Sequence, residues 1–108
     1  KQRHRFIIEY AGAMIMETAT ITVTEGQEGA FLAALELGKQ VLARATGFQV
    51  IHVHQGIERP STFMLAIGWD TLENHTVDFR EGPLFPEWRS HIGPFFAEAP
   101  HVEHWHLL

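Results

Sequence analysis

With 108 residues, 45% of them apolar and 19% charged, the chain has the length and balance of one folded domain with a modest core. A net charge of −5 without any basic stripe argues against nucleic acid as a partner, and the absence of cysteine excludes disulfides and thiolate chemistry. No apolar run is long enough to cross a bilayer, so no membrane association is expected.

Residues 1–13, KQRHRFIIEYAGA, differ in character from the rest of the chain. Their basic start and Ala-Gly-Ala triplet faintly suggest a secretory signal, but the apolar stretch Phe6–Ile8 is cut short by Glu9. We read 1–13 as an extension, either an added arm or a vector-derived segment, and 14–108 as the domain. A cytoplasmic location is the default expectation.

Residues 16–25 alternate, with Ala19, Ile21 and Val23 on one face and threonines on the other, which predicts a β-strand. Residues 26–47 then carry Phe31, Ala34, Leu35, Gly38, Val41, Leu42 and Ala45 at helical spacing. Thr24 with Gln27 is the expected capping box and Gly47 the expected C-terminal cap. Strands over 48–56 and 62–69 are joined by Ile57-Glu58-Arg59-Pro60-Ser61 as an antiparallel hairpin. The second of them is apolar on both faces, which predicts cover on both sides.

A further helix is expected to start at Asp70, capped with Glu73, and to place Leu72, His75, Thr76 and Phe79 on one face. Gly82-Pro83 interrupts it; a second piece carries Phe85, Trp88 and Ile92, and Gly93-Pro94 closes it. A last strand covers about 102–107. The order is β-α-β-β-α-β, a ferredoxin-like α+β fold with an antiparallel four-stranded sheet and both helices on one face. The uncovered face, with Met64 and Ala66, predicts a homodimer packed sheet to sheet.

The succession of Gly47-Phe48 opening the second strand, Trp69 ending the third and His75 in the next helix resembles the antibiotic biosynthesis monooxygenase family of dimeric α+β barrels. The stretch FREGPLFPEWRSHIGPFFAEAPHVEHW, residues 79–105, is similar to many bacterial members. The resemblance covers about residues 16–108 and implies a pocket between sheet and helices, near Trp69 and His75. It further implies oxidation of a small aromatic or quinol-type compound by molecular oxygen, with neither metal nor flavin. Such a substrate reduces oxygen itself once deprotonated, so the protein supplies a base, an apolar cavity and oxyanion partners. A related haem-degrading branch uses an asparagine and a haem-ligating histidine where this chain has Ala19 and Arg89. Haem chemistry is therefore not expected, and no cofactor is.

The residues carry competing readings. His75 is either the catalytic base or a structural imidazole at the helix–sheet junction. Trp69 either positions the substrate or fills the core. Phe79, Phe85 and Trp88 either wall the cavity or are plain packing, while Arg89 and His91 complete the expected substrate-binding set. Arg80 and Arg89 either bind a carboxylate or phenolate or are solvated. His52 with His54, and His104 with His106, are strand pairs that lack a third ligand, so no metal site is expected. The alternative to an enzyme is a non-catalytic, small-molecule-binding or stress-associated dimer; a weaker one is an isomerase or lyase that needs His75 but no oxygen.

Overall fold

The computed structural model describes residues 12–108. The chain runs through β1 (Ile15–Thr22), α1 (Glu28–Leu42), β2 (Phe48–Gln55), β3 (Thr62–Trp69), a π-helical segment (Asn74–Phe79), α2 (Leu84–Ile92), a 3-10 turn (Gly93–Phe95) and β4 (His101–His106). The four strands form one antiparallel sheet in the order β2-β3-β1-β4, the ferredoxin-like topology expected from the element order. Among the described residues no helix is long and apolar enough to cross a membrane.

Alternation decides the layers. Glu17, Ala19 and Ile21 of β1 and Phe63, Leu65, Ile67 and Trp69 of β3 are buried on the face that meets Phe31, Leu35 and Leu42 of α1 and Trp88 and Ile92 of α2. The helices approach closely because Gly38 has no side chain: a Cβ there would sit 3.1 Å from the Trp88 ring. On the opposite face of β3, Ala66 and Gly68 are also buried and Met64 is half-buried. Trp105 of β4 lies on that side with 48% of its surface exposed, and its Nε1–H donates to Thr18 Oγ1 at 2.8 Å.

Several local expectations are corrected. α1 has no side-chain cap from Thr24 or Gln27; the backbone N–H of Gln27 instead donates to the Thr24 carbonyl at 2.9 Å. Gly47 lies beyond the end of α1, in the turn that enters β2, with φ of 79°. Asp70 caps nothing, because its carboxylate accepts from Gln49 Nε2 at 2.7 Å. The reciprocal cap is Thr71 with Asn74: the Thr71 N–H donates to Asn74 Oδ1 and the Asn74 N–H donates to Thr71 Oγ1, each at 3.1 Å. The next turns are π-helical, with the Arg80 N–H reaching back to the His75 carbonyl at 3.0 Å. Only His75 and Phe79 of the expected inward face are buried; Leu72 is 38% exposed and the Thr76 hydroxyl donates to the Leu72 carbonyl.

Candidate active site

A cavity of about 320 Å³ opens between the inner face of the sheet and the π-helical segment, α2 and the chain that leads into β4. That volume suits a small aromatic ligand. Its floor is apolar, with Ala19, Ile21, Leu65 and Ile67 from the sheet. Phe79, Phe85 and Trp88 wall it, Arg80 and Arg89 line it, and its polar depth is Glu17 with His75.

Local backbone chemistry places His75. The Asp70 N–H donates to the Gly47 carbonyl at 2.8 Å, tying the end of β3 to the turn before β2. Asn74 lies where a Gly47 side chain would be, since a Cβ there would overlap its side-chain amide. The Thr71–Asn74 cap therefore seats against glycine, and the next residue, His75, turns into the core with only 2% of its surface exposed. Its ring stacks on Trp69 at 5.3 Å between centroids and 25° between planes.

Trp69 does not line the cavity. It is fully buried, and its Nε1–H donates to Glu17 Oε1 at 3.0 Å. His75 Nε2 lies 3.3 Å from the same oxygen. His75 Nδ1 in turn lies 2.8 Å from His104 Nε2. Glu17 and His104 are direct neighbours across β1 and β4, which puts both on the inner face of the sheet. The result is a continuous line, Trp69–Glu17–His75–His104, drawn from four elements.

Burial sets the protonation states. Desolvation pushes the Glu17 carboxyl up from 4.5 to about 7, against the opposing pull of the Trp69 N–H and the Arg80 charge. The His75 imidazole is lowered from 6.5 to about 3, first by desolvation and then by repulsion from His104 and Arg80. His104 is lowered as well, by desolvation and then Arg80. Although 3.3 Å is an ion-pair distance, these opposed shifts make Glu17–His75 a hydrogen bond between neutral groups between about pH 3 and about pH 7. Arg80 is the positive charge that acts on all three groups.

The arginines are held by aromatic faces. Arg80 stands over Phe85 at 5.3 Å, and Arg89 over Phe85 at 5.9 Å and Phe96 at 5.2 Å. No ion pair among the described residues involves either guanidinium. Both charges therefore remain available to an anionic group in the cavity.

Of the residues singled out from sequence, His75, Phe79, Phe85, Trp88 and Arg89 come together around the cavity, while Trp69 acts on it through Glu17. His91 is half-buried on α2 and is not part of the lining. His54 Nδ1 lies 3.1 Å from the Met64 carbonyl, away from the cavity. Among the described residues no three His, Asp or Glu side chains are arranged to hold a metal ion. Glu17 is absent from the sequence expectations, and His104 enters them only as a strand pair with His106. The alternation that sends Ala19 and Ile21 inwards also sends Glu17 inwards, and a carboxyl on an apolar strand face is a readable signal. The partnership of His104 needs the register of β1 with β4, which no local pattern carries.

The family model described as antibiotic biosynthesis monooxygenase matches residues 14–90. A Bordetella bronchiseptica protein of known crystal structure that carries that family name is 38% identical, with 89% of this chain and 98% of that one covered and a TM-score of 0.86. The Bacillus subtilis protein YczJ, itself uncharacterized, is 29% identical over 91 residues, covering 84% of this chain and 96% of its own. A monooxygenase of Streptomyces coelicolor, solved with the ligand Nanaomycin D, shares the fold at a TM-score of 0.73 and 16% identity, with 90% and 89% of the two chains covered.

Proposed function

The chain belongs to the antibiotic biosynthesis monooxygenase family, and from that premise we propose that it oxidises a small, electron-rich aromatic of quinol or anthrone type with molecular oxygen in the cavity between sheet and helices. The observation that carries the reading is a carboxyl, Glu17, at the polar depth of an aromatic-walled cavity and poised to titrate near neutrality. A general base works best with a midpoint near the working pH. His75, held to about 3, is too weak a base to act alone, so the role first expected of it passes to the Glu17–His75 pair. The contacts of Trp69 and His75 both fall on Oε1 of Glu17, which leaves Oε2 for the substrate proton.

The chemistry needs no external reductant. The Glu17 carboxylate takes a proton from an activated CH2 or hydroxyl, the resulting carbanion or phenolate gives electrons to oxygen, and a hydroperoxide forms at carbon. For a CH2 centre one oxygen atom ends as the new carbonyl, and the other leaves as water with the two hydrogens; for a phenolate the hydroperoxide forms at a ring C–H carbon and loses water to leave the quinone. Arg80 and Arg89 face the oxyanion that develops, and the apolar floor keeps bulk water from it. The dimer belongs to the same reading: the half-exposed Trp105 and the half-buried Met64 on the outer face of the sheet pack against a second copy.

Oxygen uptake with a panel of quinols and anthrones, in the presence of a chelator, tests the proposal. Uptake coupled to quinone formation supports it. Tight binding of the same compounds without uptake would replace it with the non-catalytic binding module.

A further inference from the structure

We infer that Glu17, His75 and His104 form a proton relay from the depth of the cavity to solvent at the edge of the sheet. The inference takes its purpose from the oxidation reading, but the relay is defined by hydrogen bonding alone. Glu17 and His75 are 5% and 2% exposed, so with substrate in the cavity a proton delivered to Glu17 has no direct path to water. His104 lies on β4, an edge strand of the sheet, and is exposed.

Both ring nitrogens of His75 are engaged, Nε2 with Glu17 Oε1 at 3.3 Å and Nδ1 with His104 Nε2 at 2.8 Å. A neutral imidazole has one N–H, so one nitrogen donates while the other accepts. With the carboxyl hydrogen on Oε1 or absent, two neutral-ring arrangements satisfy the line. With Glu17 protonated, its O–H donates to His75 Nε2, His75 Nδ1–H donates to His104 Nε2, and His104 carries its hydrogen on Nδ1. With Glu17 ionised, His75 Nε2–H donates to the carboxylate and His104 Nε2–H donates to His75 Nδ1.

Passing from the first arrangement to the second moves one proton from Glu17 to His75 Nε2 and one from His75 Nδ1 to His104 Nε2. A third leaves His104 Nδ1 for water. Over this passage one proton leaves Glu17 Oε1 and one reaches water at the edge strand, and neither ring keeps a charge. Trp69 Nε1–H donates to Glu17 in both states and so holds the carboxyl in place without joining the transfer. The charges facing the line are Arg80 at the end of the π-helical segment and Arg89 on α2; α1 contributes only Leu42 to the cavity wall, and the β4 neighbour Glu103 is bound to His101 at 3.3 Å. The positive field of Arg80 favours departure of the proton over its storage on either ring.

The test is nitrogen NMR of the histidine rings as pH is raised through the Glu17 midpoint of about 7. The expected result is a His75 ring that stays neutral while its hydrogen moves from Nδ1 to Nε2. In Glu17→Gln the amide oxygen still accepts from Trp69, so His75 is expected to hold its hydrogen on Nε2 at every pH. A His75 that keeps one tautomer through the transition in the unaltered protein would overturn the relay. In turnover, His104→Phe is expected to lower kcat about 10²-fold, the lower end for loss of a proton-transfer group, with KM unchanged and free imidazole restoring the rate. An unchanged kcat would remove His104 as the outlet. If no quinol supports oxygen uptake in the unaltered protein, the oxidation reading fails, and the tautomer switch still decides the relay.

Discussion

Glu17→Gln separates the charge of the buried carboxyl from its shape. Raising a carboxyl from 4.5 to about 7 corresponds to about 3 kcal/mol, at about 1.4 kcal/mol for each pH unit. The folded chain holds the proton more tightly than the unfolded one, so the proton-linked stability is fully present below about 4.5 and is lost as pH rises through about 7. Glutamine has no such dependence. Its amide oxygen can accept from Trp69 Nε1 and His75 Nε2 as Oε1 does, so at acidic pH the variant is expected within about 1 kcal/mol of the parent. Above about pH 7 it is expected to exceed the parent by up to about 3 kcal/mol. His75 works in the opposite sense, with stability present above 6.5 and lost as pH falls through about 3, and this contribution is common to both proteins and cancels in their difference. Urea unfolding of the two proteins across this range provides the assay. Parallel stability curves would show that Glu17 has an ordinary midpoint and would refute its assignment as a base tuned by burial.

Arg80→Gln removes the charge that pulls the Glu17 midpoint down, so that midpoint is expected to move above about 7, read from the pH dependence of binding or turnover. The same change is expected to weaken phenolate and carboxylate ligands more than neutral ones, as measured by titration calorimetry. Gly47→Ala forces a side chain into φ of 79° and into Asn74, and is expected to cost about 1–3 kcal/mol or more in urea unfolding while disordering the Thr71–Asn74 cap. Trp105→Glu puts a charge on the outer sheet face, and light scattering is expected to show a shift from dimer to monomer with the fold retained.

The fold was legible because its signals are local. Alternation in β1, the double-sided apolar run of β3 and the 3.6-residue spacing of α1 each name an element without knowledge of its neighbours. Trp69 and His75 were legible as inward-facing residues for the same reason. Their surroundings were not, because Trp69 and His75 meet Glu17, fifty-two residues before Trp69 in the chain, and His75 meets His104, twenty-nine residues after it. The cap at Thr71 and the π-helical turns were hidden by a rival pattern: Asp70 and Glu73 have capping-box spacing, but Gln49 from β2 engages Asp70 first. The two readings of Arg80 and Arg89 stayed open in the sequence, since an arginine stacked on phenylalanine and one in water have the same local pattern.

The most direct test of the proposed oxidation is oxygen consumption with a quinol or anthrone substrate, compared between the unaltered protein and Glu17→Gln across neutral pH. The expected result is uptake that rises as Glu17 ionises near about pH 7 and falls about 10²–10⁴-fold in the variant. Equal uptake in both proteins, or binding of substrate with no uptake in either, would contradict it.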